Sequence, residues 1–165
     1  MGAAMQGGVG GHAGLFSNSN DVAKIMQMFV QGGYYGGERF YKKSTVKYFN
    51  TCYFCADNNR RGIGFDKPQL DDSNSTCGCV PMTSFGHSGF TGTLAWCEPF
   101  NKTIFVFLSN RTFPDETNNK LIKLNLRTKI QERMSINQYL RALRTLQSLA
   151  LSIQLLFLTL IEHLL

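Results

Sequence analysis

Apolar residues recur at helical spacing early in the chain. In SNSNDVAKIMQMFVQ, residues 17–31, Val22, Ile25, Met26, Phe29 and Val30 fall at i, i+3, i+4, i+7 and i+8. That is one stripe of an amphipathic helix. Ser17 or Asn18 is placed to cap it, Asp21 suits its first turn, and Gly32-Gly33 ends it. GGYYGGERFYK then reads as a glycine turn with a short extended piece, and STVKYFN (44–50) as a short helix. RRGIGFD (60–66) predicts a strand, and residues 67–82 a loop rich in Asp, Ser, Cys and Gly.

The pattern changes at Ser84. SFGHSGFTG leads into TLAWCE, a turn PFNK, and TIFVFLSN. The runs 93–98 and 103–110 are rich in β-branched and aromatic residues, so three consecutive antiparallel strands are predicted. Residues 117–133 return to helix, with Ile122, Leu126 and Ile130 on one side and Lys120, Lys123 and Arg127 largely on the other. From Met134 the character shifts again. Residues 145–161 form a run of 17 without a charge, at the lower limit for a membrane span. Gln147, Gln154 and several hydroxyls dilute it, so a partly exposed apolar helix, or sequence foreign to the domain, is the better reading. Membrane association through this tail stays as an alternative.

Composition narrows the field. The chain has 165 residues, 43% hydrophobic and 17% charged, which predicts a folded domain with a core. Net charge is +6, but the densest basic group (Lys120, Lys123, Arg127, Lys129, Arg133) has no interleaved aromatic. A nucleic-acid groove would need one, and a solvated helix face fits better. The N-terminus has neither the basic region nor the apolar core of a signal peptide. It opens in small residues, as though entered within a loop. Of five cysteines, Cys52, Cys55, Cys77 and Cys79 offer four zinc ligands on paper, which makes a small zinc-stabilised binding module the second reading. The spacing of Cys77-x-Cys79 is tighter than usual for zinc, and loop thiols or a disulfide are preferred. No metal and no cofactor is expected.

The stretch FGHSGFTGT, residues 85–93, carries the chemistry. Gly89 and Gly92 weaken a strand unless something approaches its backbone closely. A substrate laid along an open strand edge is one such thing. His87 and Ser88 would offer polar groups there, and an N–H just after Gly89 would face a developing oxyanion. A glycine-bearing bend with a lone structural histidine explains the nine residues equally well.

Context favours the first. The order is a helix opened by GHAGLFSNSND, a glycine turn, GIGFD, HSGFTGT, an aromatic hairpin and a closing helix. It resembles the second half of the serine hydrolases of the β-lactamase and penicillin-binding-protein superfamily, nearest to class C β-lactamase-like esterases and peptidases. Ala13-Gly14-Leu15-Phe16-Ser17 through Asp21 is similar to their AGL-F-S-x-x-x-D block. His87-Ser88-Gly89 is similar to their third motif, Lys-Thr-Gly or His-x-Gly. The resemblance covers about residues 2–133 and implies an α+β fold of αβα layers, an antiparallel sheet flanked by helices. It also implies acyl transfer by a serine of a Ser-x-x-Lys motif, with Lys and the Tyr of a Tyr-x-Asn motif handling protons. By position, His87 would give hydrogen-bonding and electrostatic help, Ser88 would contact substrate polar groups, and Phe90 would supply an oxyanion N–H. Gly89, with Thr91 beside it, would bind substrate. Because His stands where Lys is usual, an ester, peptide or amide is favoured over a β-lactam. The resemblance points to a bacterial periplasm or envelope.

The nucleophile is the gap. Ser44-Thr45-Val46-Lys47 fits Ser-x-x-Lys and Tyr48-Phe49-Asn50 fits Tyr-x-Asn. The two abut, whereas in the family they come from separate elements, and they follow the AGLFS-like block instead of preceding it. Residues 1–133 are therefore expected to be the C-terminal part of a larger hydrolase domain, inactive alone, and 134–165 an apolar helical tail.

Overall fold

In the computed structural model, which describes residues 2–57, 59–68 and 76–162, three antiparallel strands separate two helices. The strands are β3 (Phe85–Ser88), β4 (Leu94–Glu98) and β5 (Thr103–Phe107), in the order β3-β4-β5. Before them come a one-turn helix α1 (Gly2–Met5), helix α2 (Ser19–Val30), the hairpin β1 (Tyr34–Tyr35) and β2 (Glu38–Arg39), and helix α3 (Lys43–Asn50). After them come α4 (Lys120–Lys123) and the long α5 (Leu126–Glu162). Helices on both faces of an antiparallel sheet give the expected α+β layering.

Strand alternation sorts the core. Phe85, Ala95, Cys97 and Ile104 face α2, meeting Val22, Met26, Phe29 and Val30, with Phe65 alongside. Leu94, Trp96, Phe105 and Phe107 face the other way and meet Met134 of α5. The α2 stripe is thus used as predicted, except that Ile25 stays half exposed. Asn18 is the cap, its Oδ1 accepting from the Asp21 amide at 3.0 Å. At the other end Gly33, at φ +89°, returns its N–H to the Met28 carbonyl at 2.8 Å. A Cβ on Gly33 would sit 2.3 Å from the Tyr41 carbonyl oxygen, so only glycine fits.

Two predictions of secondary structure fail for physical reasons. Residues 60–66 form no strand. The Gly62 amide turns back to the Phe65 carbonyl at 2.7 Å and the Gly64 amide goes to Phe49 at 3.1 Å. What remains is a pair of bridges, Arg61 with Asp66 and Asp66 with Gly86. The helix predicted over 117–133 breaks at Asn125, which takes φ +49° between α4 and α5. Its expected apolar side, Ile122, Leu126 and Ile130, is substantially exposed. The side of α5 turned to the sheet carries Met134, which packs on the core, and Arg127, Gln131 and Gln138, which satisfy polar groups. Gln131, 5% exposed, accepts the Cys77 amide at 3.0 Å. Arg127, expected in solvent, is half-buried and donates to the Gly92 carbonyl at 3.2 Å.

The shift in character at Met134 coincides with no break, since α5 runs on through it. Beyond Gln138, the α5 side chains described to Gln154 are exposed. Among the described residues no helix is long and apolar enough to cross a membrane. The loop expected over 67–82 lies partly outside the described residues. Cys52 is bonded to Cys55 and Cys77 to Cys79, so the four candidate zinc thiolates of the alternative reading are consumed as disulfides. Cys97 is free and buried, its thiol pushed up to about 12 by desolvation.

Candidate active-site edge

β3 pairs with β4 along one side and, on the other, meets only a single bridge among the described residues. Gly86 exchanges both backbone bonds with Asp66, at 2.8 and 3.1 Å, so by antiparallel alternation its neighbour His87 turns its backbone to Ala95 of β4. Ser88 follows with its backbone directed outward, past the point where Asp66 covers the edge. Among the described residues, a length of open strand edge begins there.

The side chains diverge. His87 shares the α2 face with Phe85, whereas Ser88, opposite Leu94, lies on the α5 face. What the two share is the strand edge, not a common point in space. The His87 imidazole is exposed and meets Arg61, whose Nη1 stands 3.4 Å from Nε2. Arg61 in turn lies 3.4 Å from Asp66 Oδ1, while Arg60 pairs with Oδ2 at 3.0 Å. Asp66 is 2% exposed. Its Oδ1 makes no aligned hydrogen bond among the described residues, so the Arg61 contact there is chiefly charge on charge.

After Ser88 the chain bends into a tight loop. The Gly89 amide donates to Thr93 at 2.8 Å and the Gly92 amide to Gly89 at 3.0 Å. The Phe90 amide between them donates to no group among the described residues. Two arginines hold the loop. Arg111 donates from Nε to the Phe90 carbonyl at 2.8 Å and from its backbone to Thr91 at 2.9 Å, and Arg127 secures Gly92. The Phe90 ring is 73% exposed, and Thr91 is exposed beside it. Neither arginine was legible as a site residue, because nothing in their spacing links them to residues 89–93.

The glycines have work inside the protein. A Cβ on Gly86 would lie 2.2 Å from the Ala95 carbonyl and 2.4 Å from the Trp96 ring. Gly92 sits at φ +93° against Leu121 and Ser109. A Cβ on Gly89 would meet only the Thr93 hydroxyl, at 2.3 Å, the movable end of a side chain. Close approach within the sheet therefore explains Gly86, a left-handed backbone packed on Leu121 and Ser109 explains Gly92, and Gly89 is the one whose need is least internal.

The Ser44–Lys47 look-alike lies apart. Ser44 is exposed on α3, and no hydrogen bond joins it to Lys47 or His87 among the described residues. Asn50 has a structural partner, accepting from Lys67 Nζ at 3.2 Å. Lys67 is 6% exposed, and burial lowers its amine to about 8. A small cavity of about 10 Å³, lined by Trp96, Phe105, Gln131 and Met134 among others, has room for roughly one water. It shares no residue with the His87–Thr91 segment.

The family model described as Beta-lactamase matches residues 1–128. The chain belongs to the beta-lactamase family. The matched span takes in the AGLFS-like block, all three main strands and the start of α5, so His87-Ser88-Gly89 falls within the beta-lactamase-like region. Among curated proteins it is similar to a putative D-alanyl-D-alanine carboxypeptidase of Escherichia coli (strain K12). That match is 39% identical over 107 residues, 64% of this chain and 24% of the relative. A protein of the same description from Salmonella agona is 36% identical over 117 residues, covering 70% of this chain and 26% of the relative. The chain thus spans about a quarter of the length of these relatives.

Proposed function

We propose that residues 1–133 are the C-terminal part of a beta-lactamase-like serine hydrolase. In this reading the edge from His87 to Thr91 forms one wall of the acyl-transfer site. The nucleophilic serine, its lysine and the catalytic tyrosine come from parts of the domain outside this chain, which alone is inactive. The observation that carries the reading is the Phe90 amide, which donates to no group among the described residues and lies just past the end of β3. It is a donor held in place by a loop that two arginines clamp. Exposed Leu15 and Phe16 in the AGLFS-like block also fit a face that further parts of a domain would cover.

The chemistry of this reading is acyl transfer. A serine oxygen bonds to the carbonyl carbon, and the π pair moves onto the carbonyl oxygen. An oxyanion at that point gains from a preorganised N–H. When the intermediate collapses, the leaving group takes the proton that the serine gave up, and water later releases the acyl group by the same steps. His87 assists by hydrogen bonding from the strand edge, Ser88 meets substrate polar groups, and Gly89 and Thr91 border the acyl chain. The relatives' description favours a peptide among the ester, peptide and amide possibilities.

Grafting residues 1–128 in place of the matching segment of the E. coli relative tests this. The graft should release alanine from a D-alanyl-D-alanine peptide. Gly89→Val should greatly lower turnover in a folded graft, and His87→Ala should cost no more than about 10²–10³-fold. A graft in which both variants work at the unmutated rate would make this strand ordinary sheet.

A further inference from the structure

We infer that Arg61, anchored on Asp66, is a positioning residue that fixes the tautomer of His87, so that the ring meets substrate as a hydrogen-bond donor. The inference rests on the reading that His87 lines the acyl site.

A guanidinium carries donors and no acceptor. In a contact between Arg61 Nη1 and His87 Nε2 at 3.4 Å, Nε2 must therefore supply the lone pair. A ring whose Nε2 accepts carries its proton on Nδ1. The other ring nitrogen of His87 is then a donor and not a base. This assigns His87 a role in holding an electron-rich oxygen of the substrate and excludes proton abstraction through Nε2 while Arg61 is in place.

Arg61 would not hold such a position by itself, since its side chain is 59% exposed and an exposed arginine loses rotamer entropy when fixed. Asp66 restricts that freedom by drawing the guanidinium toward a fixed, buried carboxylate. Its carboxylate is buried, and its backbone is tied to Gly86, one residue before His87. It is already paired with Arg60 through Oδ2, leaving Oδ1 turned to Arg61 at 3.4 Å. The same residue thus fixes the strand edge and the guanidinium that addresses the imidazole.

The test uses the full chain labelled with ¹⁵N-histidine, without substrate. Long-range ¹H–¹⁵N spectra at about pH 9, above the ordinary imidazole range, report which ring nitrogen carries the proton. The His87 signal is assigned from its loss in His87→Gln. The wild-type chain should show the Nδ1–H pattern. Arg61→Ala should move most of the population to Nε2–H, the form free imidazole prefers, and Arg61→Lys, which keeps a cationic donor, should restore at least half of the shift. An Nε2–H pattern in the wild-type chain, or no change in Arg61→Ala, overturns the inference. The wild-type spectrum decides even if a variant fails to fold. Because no turnover is read, a failure here is separate from a failure of the grafted enzyme.

Discussion

Arg111 and Phe90 hold each other by both the ring and the backbone of Phe90. The guanidinium carbon lies 4.7 Å from the Phe90 ring centroid, while Nε donates to the Phe90 carbonyl at 2.8 Å. The same guanidinium reaches the Glu116 carbonyl at 3.1 Å. One side chain therefore ties the loop after β3 to the segment leading into α4 and restrains the loop that carries the Phe90 amide.

Arg111→Ala should cost about 1–3 kcal/mol, combining a cation–π contact and charge-assisted hydrogen bonds. The loss should concentrate at the loop. Amide hydrogen exchange at Gly89 and Gly92 should accelerate well beyond the change in β4 and β5. Arg111→Lys should recover little, because an ammonium lacks the planar fork. Uniform acceleration across the sheet would show that Arg111 is only a global stabiliser.

Gly86 and Gly89 should respond differently to the same change. Gly86→Ala forces a methyl into the Ala95 carbonyl and Trp96, so a loss of about 3 kcal/mol or more is expected, visible as a large drop in urea midpoint. Gly89→Ala needs only a rotamer change at Thr93 and should cost about 1 kcal/mol or less. Equal losses would contradict the account of which glycine the sheet itself requires.

Much of this was legible in the residues. The α2 stripe, the Pro99–Lys102 turn and the alternation in LAWCE and TIFVF each follow from local pattern, and HSG within a glycine-rich strand marked the edge. Three things were not. GIGFD looks extended, but its glycines let amides bond locally and to Phe49, a contact no short-range pattern reveals. Arg127 reads as a solvated helix charge, yet burial against the Gly92 carbonyl overrides its place in the helical pattern. The Arg61–His87 meeting depends on the Asp66–Gly86 bridge, between residues distant in sequence.

Lys67 should give the stability a distinct pH dependence. Its folded-state value is lowered to about 8 by desolvation, from an ordinary 10.5. Below pH 8 the amine is charged in both states, and the cost of burying that charge is fully present. Between about 8 and 10.5 the folded state gives up its proton first, the unfolded state binds more protons, and the cost fades as pH rises. Lys67→Met should therefore be more stable relative to wild type at pH 7 than at pH 10, by about 1–3 kcal/mol. A pH-independent difference in denaturant unfolding would remove this account.

The cysteines can be counted by reactivity. With its thiol pushed up to about 12 and its side chain buried, Cys97 should resist a thiol reagent at pH 8 in the native chain. In denaturant without reductant one thiol should react, and after reduction all five. Stoichiometric zinc that is lost together with the fold on chelation would instead restore the metal-module reading.

The most direct measurement of the central claim, that this chain carries a wall of the acyl site without its nucleophile, is mass spectrometry after exposure to an activated acylating inhibitor. The account predicts no stoichiometric adduct on any serine of the 165-residue chain, and no hydrolysis of ester, peptide or β-lactam above background. Ser44→Ala should be close to neutral, since the cap position of α3 is Lys42 and not Ser44. A single acyl adduct mapped to Ser44, abolished by Ser44→Ala, would place the nucleophile on α3 and contradict the account.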